Sequence, residues 1–161
     1  MTREDFITRF GGIYEHSPWV AEAVFQAGEI APERLAERMA AVVDSAGHDR
    51  QLALLRAHPE LAGKLAVRGE LTVESRAEQA SARLDQCSPD EFARFTALNA
   101  QYSAKFGFPF IIAVRGLQRA DILAAFERRI GNDPPEEFRT ALVQVHKIAR
   151  LRLDALAPSG G

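Results

Sequence analysis

Phe108-Pro109-Phe110-Ile111-Ile112-Ala113-Val114 is the only run in this chain that reads as extended. A strand needs a neighbour to satisfy its backbone N–H and C=O groups, and no second run offers one. The segment therefore reads as a buried connection, and helices must supply the core. The predicted fold is all-α: a single-domain, compact helical bundle of about seven to nine helices over residues 1–161, with 157–161 as a flexible tail.

Helix punctuation agrees. Thr2 can cap a first helix carrying Phe6, Ile7 and Phe10, stopped by Gly11-Gly12. Ser17-Pro18 reads as a cap followed by proline at the first helical position, opening a helix with Trp19, Val20, Ala23 and Val24 that ends near Gly28. Pro32 opens a third, closed by Gly47, and a fourth runs from about Asp49 to Ala57, because a residue before proline is pushed out of the α region. Gly63 and Gly69 weaken the pattern between Pro59 and Leu71, predicting a short turn and then a loop. Thr72 caps the next helix. Ser88-Pro89-Asp90-Glu91 is a capping-box start for a helix ending at Gly107. Two more run from about Arg119 to Ile130 and onward from Pro134-Pro135.

Charge and cysteine content remove several function classes. The net charge is −2 with Lys and Arg scattered, which disfavours a nucleic-acid partner. Cys87 is the only cysteine, so neither an internal disulfide nor a Cys-x-x-Cys site can form. No apolar run reaches the ~20 residues of a membrane span. The start lacks the apolar core of a secretory signal, and the end carries no Ser-Lys-Leu address; the expected location is cytoplasmic. His16, His48, His58 and His146 form no metal signature, and no phosphate-binding glycine motif occurs.

Polar residues gather between His58 and Gln79. An unperturbed histidine has a pKa range useful for proton transfer near neutral pH, which is the appeal of His58, and Pro59 fixes the chain behind it; a histidine at a helix end is also an ordinary capping or packing residue. Ser75, Glu78 and Gln79 fall at i, i+3 and i+4 and share one helical face. They offer a hydroxyl, a carboxylate and an amide, suited to a ligand rich in ureido and carbonyl groups, or they form a solvated face. Glu74 could join them or serve the helix dipole. Arg152, near the end of the last helix, could clamp a carboxylate in bidentate fashion or complement the helix C-terminus.

The motif order says more. Glu15-His16-Ser17-Pro18-Trp19, His58-Pro59, Leu71-Thr72-x-x-Ser75-x-x-Glu78-Gln79, Leu98-Asn99-x-x-Tyr102-x-x-Lys105-Phe106-Gly107-Phe108-Pro109-Phe110 and Leu151-Arg152-Leu153 together resemble the 2-oxo-4-hydroxy-4-carboxy-5-ureidoimidazoline (OHCU) decarboxylase family of urate degradation. The resemblance runs from about Phe6 to Leu156. It implies an all-α fold, commonly homodimeric, and decarboxylation of a small ureidoimidazoline to (S)-allantoin and CO2 without metal or cofactor. Carried over by motif, His58 and Glu78 correspond to the catalytic pair. Ser75, Gln79 and Arg152 correspond to substrate contacts, and Pro59, Trp19, Phe110 and Ile112 to the pocket wall. Arg83 departs from the pattern, where a small residue, often glycine, is expected. The missing peroxisomal address points to a bacterial-type cytoplasmic enzyme.

Two other readings compete. A non-catalytic helical module could dock a ligand or partner on the polar face, with His58 merely capping. A carboxymuconolactone-type helical decarboxylase is disfavoured, since its redox members need a cysteine pair.

Overall fold

Eight α-helices and two 3-10 turns form the regular structure of the described residues, and no strand occurs among them. A computed structural model describes residues 1–28, 31–63 and 71–156. The expected tail over 157–161, and the part of the expected loop that holds Gly69, lie outside the described residues. The all-α expectation holds. No helix of the described residues is long and apolar enough to cross a membrane. Backbone contacts divide the chain into two units, residues 1–57 with 145–161, and residues 58–144.

The first unit contains α1 (Arg3–Phe10), α2 (Trp19–Gln26), α3 (Leu35–Asp44) and α4 (His48–Arg56). Thr2 caps α1 by accepting the Asp5 N–H at 3.1 Å. The predicted Ser17 cap is not made: Pro18 stands at the N-cap of α2, and the Ser17 hydroxyl donates instead to the Glu15 carbonyl at 3.1 Å. Pro32 opens a 3-10 turn, Pro32–Arg34, before α3 begins. The third helix ends at Asp44, short of Gly47. Gly47 adopts φ +92 and leads into α4. Phe6, Val20, Val24, Met39, Val43, Leu54 and Leu55 are buried here, from the apolar positions that recur at helical spacing.

The second unit holds α5 (Val73–Ser81), a 3-10 turn at Leu84–Gln86, α6 (Pro89–Phe106) and α7 (Arg119–Ile130). The last helix, α8 (Pro134–Leu156), contributes its residues to Gln144 here and the remainder to the first unit. Ser88 and Glu91 close the capping box at the start of α6, each side chain bonded to the other's backbone N–H. Gly107, at φ +78, ends that helix by sending its N–H to Ser103, a left-handed position that glycine takes without a steric penalty. Lys105, within the motif string, donates to the Ile130 carbonyl at the end of α7.

The Phe108–Val114 segment is a connection with neither helix nor strand, as expected, and side chains bond to two of its backbone groups. The Ile111 carbonyl accepts from Arg129 Nη1 at 2.7 Å, and the Ala113 N–H donates to Gln144 Oε1 at 3.0 Å. Its aromatic rings fill the core of the unit. Phe110 stacks on Phe126 with centroids 3.9 Å apart and planes 9° from parallel. Tyr102 meets Phe106, Phe108, Phe110 and Phe126 in tilted or edge-on geometry. Such pairs each add about 0.5–1.5 kcal/mol beyond the area they bury.

Candidate active site

Pro59 sets the end of α4. The helix runs to Arg56, and the Ala57 N–H still bonds back to Ala53 at 3.1 Å. His58 then leaves the helix, because the proline ring clashes with an α-conformation before it. His58 belongs to the second unit and is 8 % exposed, so its imidazole is an interior group.

The turn behind it is tightly held. Gln79 spends both ends of its amide there: Oε1 accepts the Ala62 N–H at 3.0 Å, and Nε2 donates to the Glu60 carbonyl at 3.3 Å. Asn99, from α6, donates Nδ2 to the Leu61 carbonyl at 3.0 Å. Three successive residues thus each have a backbone group fixed by a buried side-chain amide. Ala62 adopts φ +51, left-handed and costly for a residue with a Cβ.

Helix α5 brings the Ser-x-x-Glu-Gln element to this turn. Thr72 caps it by accepting the Ser75 N–H at 3.1 Å. Ser75 and Gln79 are buried and Glu78 is half-buried, so the predicted face points largely inward rather than into solvent. Glu74 is exposed in the first turn and serves the positive helix end. Beyond these two bonds the Gln79 amide has a second oxygen lone pair and a second N–H.

Phe110 is buried and Ile112 half-buried on the Phe108–Val114 connection of the same unit. That segment is anchored by a polar cluster that sequence reading missed. Arg129 and Glu137 form a buried ion pair, with Nη2 2.7 Å from Oε2. Tyr102 and Asn132 also donate to the Glu137 carboxylate, and the Arg129 guanidinium lies 4.4 Å from the Phe110 centroid. Glu137 sits in the first turn of α8 and Arg129 in the last turn of α7, where acids and bases ordinarily serve helix dipoles. Nothing in their spacing distinguishes them. Burial and the hydrogen bond to Glu137 push the Tyr102 phenol well above its usual range.

Trp19 and Arg152 belong to the first unit. Trp19 opens α2, half-buried, under the guanidinium of Arg50 at 4.9 Å. Arg152 is buried and paired with buried Glu15, Nη2 to Oε2 at 2.9 Å, and its Nη1 donates to the Gly12 carbonyl at 3.1 Å. It is an interior ion pair rather than a cation at the helix end.

Among the described residues no group of three or more His, Cys, Asp or Glu side chains could hold a metal ion. Ser75, Glu78 and Gln79 place a hydroxyl, a carboxylate and an amide on one face of α5.

The family model for OHCU decarboxylase matches residues 1–154. The "2-oxo-4-hydroxy-4-carboxy-5-ureidoimidazoline decarboxylase" of Haloferax volcanii is 46% identical over 151 residues, covering 93% of this chain and 88% of that one. A solved "(S)-allantoin synthase" is 36% identical with a TM-score of 0.76, covering 96% of this chain and 50% of its own. An OHCU decarboxylase solved in the presence of (S)-allantoin shares the fold at a TM-score of 0.75 and 22% identity, covering 97% of this chain and 98% of its own. On the match across residues 1–154 and the identity to its relatives, this chain belongs to the OHCU decarboxylase family.

Proposed function

We propose that this chain decarboxylates 2-oxo-4-hydroxy-4-carboxy-5-ureidoimidazoline to (S)-allantoin and CO2, without a cofactor, as a step in urate degradation. The observation that carries this reading is the family match over residues 1–154. The interior placement of His58 and the inward face of α5 support it.

The chemistry asks little beyond positioning. The bond from ring carbon to carboxylate breaks, CO2 leaves, and the electron pair moves into the adjacent conjugated imidazolone. A proton then returns to carbon on one face. Removing the carboxylate from water favours the neutral product, and a buried site supplies that environment. His58 handles the proton on the substrate's hydroxyl or carboxylate, while Glu78 orients the ring and ureido group. Ser75 and Gln79 read ureido and carbonyl positions, and Pro59, Phe110 and Ile112 wall the ligand. The substrate roles of Arg152 and Trp19 rest on the family resemblance alone, as do a homodimeric assembly and a cytoplasmic location.

The test is a coupled assay in which urate is oxidised in situ and hydrolysed by hydroxyisourate hydrolase, with circular dichroism following optically active allantoin. Rapid growth of the (S)-allantoin signal, abolished in His58→Asn and Glu78→Ala, is the expected result. A rate equal to spontaneous decay from folded protein would overturn the reading.

A further inference from the structure

Gln79 and Asn99 reach the turn after His58 from two different helices. Gln79 lies one residue beyond Glu78, so its bonds to Glu60 and Ala62 tie the helix carrying Glu78 to the turn carrying His58. Asn99 closes the same turn from the other side through the Leu61 carbonyl. Ala62 holds a left-handed backbone within this clamp, a conformation that persists only where its surroundings over-determine it.

The orientation of Asn99 is fixed by its contact, because only the Nδ2 end can face a carbonyl oxygen. Its Oδ1 is buried and has no hydrogen-bond partner among the described residues. An apolar side chain of similar size would avoid that desolvation penalty, so the Nδ2 bond to Leu61 is what the position gains from an amide.

We propose that Asn99 is a positioning residue for the decarboxylation: by holding the Leu61 carbonyl, it fixes where His58 stands relative to Glu78. The proposal rests on the reading of His58 and Glu78 given above. Asn99 touches no reacting atom, and its effect is on how often the two groups stand in productive geometry, where a displacement near 1 Å can cost about a hundredfold.

The decisive variant is Asn99→Asp, which keeps the shape and makes the donor conditional on pH. A protonated carboxyl can donate to the Leu61 carbonyl; an ionised one cannot and is repelled by it. The expected result is a kcat near wild type on the acid side. As pH rises and the introduced carboxyl ionises, the variant-to-wild-type ratio should fall about ten- to a hundredfold, with KM little changed and an unaltered far-ultraviolet dichroism spectrum. Asn99→Leu, with no donor at any pH, should show the reduced kcat throughout, and it decides the matter if Asn99→Asp unfolds on ionisation. A pH-independent ratio near one for Asn99→Asp, wild-type kcat in Asn99→Leu, or a loss confined to KM would overturn the proposal. Absence of turnover in the wild type would instead remove the reaction, and the positioning role with it.

Discussion

Arg129 meets Glu137 with both groups buried, the carboxylate wholly so, and the same guanidinium donates to the Ile111 carbonyl. One ion pair therefore anchors the ends of two helices and the aromatic connection between α6 and α7. Removing one partner of a buried pair leaves an uncompensated charge, which costs about 3–5 kcal/mol. Arg129→Met should lower the unfolding free energy by about that amount in urea titration. A change within the scatter expected of a surface substitution would show that the pair does not hold the segment.

Arg152 should behave similarly on a smaller scale when its charge is kept. Lysine cannot reproduce the fork that reaches Glu15 and the Gly12 carbonyl together. Arg152→Lys is expected to lose about 1–3 kcal/mol of stability, seen as a lower midpoint at unchanged slope in the same titration. Equal midpoints would mean that the second hydrogen bond is dispensable.

Arg83 holds a backbone conformation that suits glycine, the residue the family resemblance leads one to expect there. It sits at φ +59 between α5 and the following 3-10 turn, exposed, with its carbonyl accepting from Arg119 Nη1 at 2.9 Å. Glycine occupies such a conformation without the Cβ clash. Arg83→Gly should raise stability by about 0.5–1 kcal/mol, while Arg83→Val, β-branched, should lower it. Thermal melts of the two variants shifting in the same direction would remove strain as the cause.

The chain's two tyrosines give a sign for alkaline pH. Burial, and then the negative charge of Asp44, raise the Tyr14 phenol, whose hydroxyl lies 2.7 Å from His146 Nδ1. Burial and Glu137 raise Tyr102. A raised folded value means that the stabilisation is fully present below the unfolded pKa of about 10 and is lost as pH climbs above it. Phenolate absorbance should therefore stay absent from the folded protein above that pH and emerge together with loss of the dichroism signal. Titration of either tyrosine at an ordinary pKa in folded protein would contradict this.

Local signals determined much of this protein without tertiary help. Thr2, Thr72 and the Ser88–Glu91 box start their helices, Gly107 ends one, and Pro59 frees His58, because each acts on neighbours within a turn of chain. The isolation of Phe108–Val114 made an all-α fold legible, and the spacing of Ser75, Glu78 and Gln79 put them on one face. Tertiary structure alone decided what those groups bind. Ser17 looked like a cap, yet its hydroxyl turns to Glu15. Gln79 read as one polar group of a helix face, and the fold sets both ends of its amide on the turn after His58. Arg129 and Glu137 looked like ordinary helix-end charges and form a buried ion pair, and Arg152, read as a carboxylate clamp or a helix-end cation, pairs with buried Glu15. The value of a polar side chain depends on its partner and on the water it loses, and chain segments far apart in sequence set both.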